Sequence, residues 1–141
     1  MQLHHARSLL FLPASNARAV EKAAGLDCDA VILDLEDAVP ADCKAEARVA
    51  LMAAFHKGFG HRIGAVRINA VGSSFHADDL AALNGVAIDL VVLPKVESVG
   101  AASSVYQSTG KPVIAMIESP LGVLNAREIA ACDGVAGLFL G

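Results

Sequence analysis

Residues 30–37 read AVILDLED, an apolar run that closes on Asp34, Glu36 and Asp37. The same shape returns downstream. IGAVRIN (63–69) carries Arg67, DLVVLPKVE (89–97) ends on Lys95 and Glu97, and PVIAMIES (112–119) ends on Glu118. Near-continuous apolar runs are how strands of a buried parallel sheet read. Active sites of such folds gather at the strands' C-terminal ends. A buried strand has no packing need for a charge at its tip, so charges at successive tips imply one shared polar site and hence an enzyme.

SLLFLP (8–13) and GVAGLFLG (134–141) supply a first and a sixth strand around those four. Between them the sequence predicts helices over 17–25, from Pro40 and Asp42 to about Lys57, and over 77–84, 98–108 and 121–131. Ser15 and Asn16 are placed to cap the first, and Gly25 to end it. Strands recur at the spacing that right-handed βαβ crossovers require. The 141 residues read as one domain without a linker or a low-complexity tract.

An open flavodoxin-like sheet and a (β/α)8 barrel both fit this α/β alternation. No GxGxxG or GxxxxGK[ST] element occurs. Counting by twos puts Asp34 with Glu36, Arg67 with Asn69, and Glu118 with Met116 and Ile114. A barrel gives all of those faces one interior mouth, which favours the barrel. Eight strands typically take about 250 residues. Residues 1–141 are therefore expected to form about the first six strands of a longer barrel, truncated at the C-terminus. Alone, the chain is expected to be inactive and to associate through open sheet edges.

Composition narrows the function. Hydrophobic residues make up 55% and charged ones 18%, enough apolar content for one buried core. A net charge of -4 excludes a basic nucleic-acid surface. No apolar stretch approaches the ~20 residues of a membrane span, and no secretory signal opens the chain. Cys28, Cys43 and Cys132 form no CxxC and read as reduced thiols of a cytoplasmic protein. None of the five histidines has metal-ligand spacing, and all five are expected at the surface, with His76 in a loop.

RSLLFLPASN, AVILDLEDAVPADCKAEAR, VRINAVGSSFHADDL, VVLPKVES and PVIAMIESPLGVLNAREIAA resemble, in order, the blocks of the citrate lyase β-subunit (CitE-like) family. That family lies within the HpcH/HpaI aldolase superfamily. The resemblance covers essentially the whole chain. It implies a Mg²⁺-dependent (β/α)8 barrel, a homotrimer, that makes or breaks a C–C bond between an acyl-CoA and a 2-oxo acid. It places one metal carboxylate at Glu118 and a second, an Asp in a G-x-E-D-L block, beyond Gly141. Ala14 departs from the Gly that relatives often carry after the first strand.

Taken singly, these residues carry alternatives. Mg²⁺ prefers carboxylate oxygens, so Glu118 suits it, but Glu118 also precedes a helix N-terminus that would satisfy it. Arg67 can clamp a substrate carboxylate and stabilise an enolate oxygen, or pair internally with Asp34 or Glu36. Glu36 is a candidate proton acceptor, and Asp37 a supporting carboxylate or helix cap. Asp34, deeper in its strand, reads as structural. Lys95 is a supporting ion-pair partner of Glu97 or Glu36 rather than a Schiff-base lysine. The resemblance makes Arg7 a candidate contact for the acyl-CoA, while Lys44 and Arg48 read as solvated helix charges. A class II aldolase using pyruvate enolate, and a non-catalytic binding subunit, stand beside the acyl-CoA lyase.

Overall fold

A computed structural model describes residues 3–141. Six strands alternate with five α-helices. They are β1 (Leu9–Pro13), α1 (Ala17–Ala23), β2 (Ala30–Asp34), α2 (Lys44–Lys57), β3 (Ile63–Arg67), α3 (His76–Ala82), β4 (Leu90–Leu93), α4 (Val99–Thr109), β5 (Val113–Ile117), α5 (Pro120–Ala130) and β6 (Val135–Leu140). Every neighbouring pair is parallel, and the strands lie in chain order from β1 to β6.

The side-chain period of two divides the core. Val31, Leu33, Val66, Val91, Leu93, Ala115 and Ile117 face the helices, where Leu51, Phe55, Val105 and Ile129 meet them. Ile32, Ala65, Val92, Ile114 and Met116 share the opposite face with Phe11 and Phe139. No residue of α1–α5 joins that second cluster, although Ile32 and Val92 are fully buried. A doubly wound sheet carries helices on both faces and reverses its strand order at a switch point. This sheet does neither, and it buries its helix-free face by curling on itself, as a TIM-type barrel does.

Local chemistry sets the element ends. Asn16, Ser98 and Ser119 accept N–H bonds from the first turns of α1, α4 and α5. β2 stops at Asp34, two residues short of the predicted end, because the Asp34 carboxylate takes the N–H groups of Glu36 (2.8 Å) and Ala38 (3.0 Å). Backbone donors captured by a side chain cannot continue a ladder. Cys28, Cys43 and Cys132 are free thiols. Among the described residues, no helix is long and apolar enough to cross a membrane.

Candidate active site

Parallel pairing brings the carboxyl ends of β2, β3, β4 and β5 to one rim. Asp34 is in register with Arg67, the last residue of β3. The Arg67 guanidinium grips Asp34 along one edge, Nε to Oδ1 at 2.8 Å and Nη2 to Oδ2 at 2.5 Å. Its Nη1 lies 3.3 Å from Oε2 of Glu36, and its plane sits 5.3 Å from the Phe11 ring. The hydrogen bond to Asp34 raises the Arg67 pKa further above its ordinary value, so the group is a permanent cation here.

Glu36 is 5% exposed and lies between two cations. Its Oε1 accepts from Lys95 Nζ at 2.6 Å. Its Oε2 is buried and accepts no hydrogen bond among the described residues, despite the charge contact with Arg67. A buried acceptor left open costs about 1–3 kcal/mol.

Lys95, just past β4, links the residues that follow β2 and β5. It is the one non-glycine residue with positive φ (54°) among those described. That left-handed backbone, worth about 1–3 kcal/mol of strain, lets its N–H donate to Glu118 Oε2 at 2.8 Å while its ammonium reaches Glu36. The Glu36 contact raises the Lys95 pKa. Asp37 stands 3.8 Å from the same ammonium. Glu97, the other expected partner of Lys95, instead accepts the Ser119 hydroxyl at 2.6 Å.

Glu118 follows β5 and is half-buried. With Oε2 on the Lys95 amide, Oε1 has no protein partner among the described residues. One open carboxylate oxygen fits a hard cation that keeps most of its waters. No three His, Cys, Asp or Glu side chains converge into a metal cage among the described residues. A cavity of about 320 Å³ opens beside the group, lined in part by Glu36, Asp37, Asn69, Phe75 and Lys95. A second cavity of about 340 Å³, between α1 and α2, contains none of the site residues singled out from the sequence.

Arg7 is not brought to this rim. It precedes β1, 89% exposed, with Nε 3.7 Å from Asp29 at the amino end of β2. Five strand residues, about 16 Å, lie between it and the carboxyl ends. Asp34 is structural as expected, though as the main anchor of Arg67. Three expectations require correction. Lys44 is buried, and Arg48 binds the fully buried Asp79 at 2.7 Å and so is no solvated helix charge. His76 opens α3 with Nδ1 2.8 Å from the Asn69 carbonyl. The His4 side chain lies outside the described residues.

A parallel sheet in chain order, helices on one face and charged residues pooled at one rim form the architecture of an α/β-barrel enzyme. The chain belongs to the HpcH/HpaI aldolase/citrate lyase family, which matches residues 7–141. It is 42% identical over 142 residues to a (3S)-malyl-CoA thioesterase of Cereibacter sphaeroides, covering 99% of this chain and 50% of that protein. The fold matches the citrate lyase β subunit of Mycobacterium tuberculosis complexed with oxaloacetate and magnesium, with a TM-score of 0.88 at 40% identity. That match covers 100% of this chain and 60% of the other. CitE from the same organism, in complex with magnesium, acetoacetate and coenzyme A, gives 0.84 at 38% identity, over 99% of this chain and 50% of the other. The chain thus spans about half the length of the curated relatives it matches.

Proposed function

We propose that the protein carrying this chain is a Mg²⁺-dependent acyl-CoA lyase of the citryl-CoA, malyl-CoA or citramalyl-CoA type. It cleaves a 3-hydroxyacyl-CoA into an acyl-CoA and a 2-oxo acid. The carrying observation is the Glu36 carboxylate held between Arg67 and Lys95, with the half-open Glu118 tied to the Lys95 amide. The similarity to proteins crystallised with magnesium, oxaloacetate and coenzyme A supports it.

Glu118 would hold the metal with a second carboxylate beyond Gly141. Bound there, Mg²⁺ supplies Lewis acidity and a template for the 2-oxo acid. Arg67 has one edge on Asp34, so it meets the substrate carboxylate with its Nη1/Nη2 end. The same charge stabilises oxyanion character as the C–C bond breaks and its electron pair moves into the thioester enolate. Glu36 Oε2, the open buried acceptor, is the candidate to take the hydroxyl proton. Lys95 and Asp37 keep Glu36 in place, whereas Arg7, at the amino ends of the strands, takes no part at this rim. In this reading residues 1–141 are the first six strands of an eight-stranded barrel, a homotrimer by family resemblance and cytoplasmic by its unpaired cysteines.

The relative named (3S)-malyl-CoA thioesterase favours a second reading, hydrolysis of the thioester. Product analysis separates the two. The complete protein incubated with malyl-CoA and Mg²⁺ should yield acetyl-CoA and glyoxylate in equal amounts. Malate and free CoA thiol instead would replace the lyase by the thioesterase.

A further inference from the structure

Lys44 is a charged residue beside this rim that the reaction above does not use. It enters from the first turn of α2 and is 6% exposed. Its ammonium donates to two successive carbonyls, Leu35 at 2.7 Å and Glu36 at 2.9 Å. The Phe75 ring lies 5.2 Å from Nζ. Among the described residues no carboxylate pairs with it. Burying an ammonium costs several kcal/mol, and an apolar side chain of similar volume often packs there at no loss of stability. What the charge adds is its grip on the backbone.

That backbone needs one. β2 ends at Asp34, so the Leu35 and Glu36 carbonyls lie past the last residue of the strand. Asn69 Nδ2 also donates to the Leu35 carbonyl, at 3.0 Å. Asn69 is in turn fixed by Asp79, which accepts its N–H at 2.7 Å and its Nδ2 at 2.6 Å and is 0% exposed. The carbonyl and side chain of Glu36 share one Cα, so a peptide free to swing carries the carboxylate with it. We propose that Lys44 is a positioning residue: by holding the carbonyls of Leu35 and Glu36, it fixes the Glu36 carboxylate between Arg67 and Lys95. This rests on the lyase reading for its kinetic consequence but not for its geometry.

Lys44→Met keeps the length of the stem and removes the donors. In the complete protein it should lower kcat about tenfold or more, with KM changed less than about threefold, since small misplacements of reacting groups cost rate before binding. The decisive comparison is a double-mutant cycle with Glu36→Gln. If Lys44 acts through Glu36, Lys44→Met has no further effect on kcat once Glu36 is Gln; a structural lysine would add its full effect, and additivity overturns the proposal. A crystal structure of Lys44→Met reads the geometry without any activity. The Lys95–Glu36 contact should open from 2.6 Å to beyond about 4 Å, past hydrogen-bond reach. An unmoved Glu36 overturns the proposal, and Lys44→Gln takes the same two tests if the Met variant fails to fold. Absence of lyase turnover in the parent protein would sink the lyase reading alone, and the crystal structure would still decide the role of Lys44.

Discussion

Arg67 has two usable edges, and Asp34 occupies one of them with both Nε and Nη2. That division explains how an arginine at a strand end can be a structural ion pair and a substrate clamp together. Lysine cannot divide itself this way, because its single ammonium offers no planar fork. Arg67→Lys in the complete protein should therefore lose about 10²-fold or more in kcat/KM, near what removal of one oxyanion donor costs. Near-parental kinetics would confine Arg67 to its pair with Asp34. Thermal melting of the same variant reports the separate weakening of that buried pair, where a single ammonium replaces the two-point grip on Asp34.

Elements show why some of this site was legible and some was not. The apolar runs of β2, β3, β4 and β5 stand out because a buried parallel strand admits little else, and their charged tips led directly to Arg67, Lys95 and Glu118. The end of β2 did not stand out. Alternation continued through AVILDLE, but the Asp34 side chain had taken the next donors. The pairing of Asp34 and Glu36 by parity still held in effect, since both reach Arg67. The burial of Lys44 leaves a weaker signal, in the helix period alone. Lys44, Ala47, Leu51 and Phe55 are the buried residues of α2, spaced as one helical stripe, so a lysine on that stripe marks a buried cation. Gly122 is an element-scale constraint of another kind. A Cβ there would stand 2.7 Å from the Val96 carbonyl oxygen, so α5 approaches the β4 tip more closely than a side chain permits. Gly122→Ala should destabilise by about 1–3 kcal/mol, as overpacking does, and should displace Ser119 and Glu118 with the helix. Denaturant unfolding checks the first effect. An unchanged midpoint would mean that α5 has slack at this contact.

At the scale of the molecule, strand order turns separate residues into a site. Six parallel strands in chain order put every carboxyl end on one rim, so residues as far apart in sequence as Glu36, Arg67, Lys95 and Glu118 meet. The shared parity of those tips favours the barrel over the open sheet, and the helix-free buried face bears it out. Glu118 keeps Oε1 without a hydrogen bond among the described residues, and the proposed function makes that carboxylate a ligand of the hard cation. Calorimetric titration of Mg²⁺ into the complete protein with oxaloacetate present, beside the Glu118→Gln variant, tests this account most directly. The parent protein should bind the metal, and the nearly isosteric variant should keep its fold and lose most of that affinity. Equal Mg²⁺ affinity in the two proteins would contradict the account.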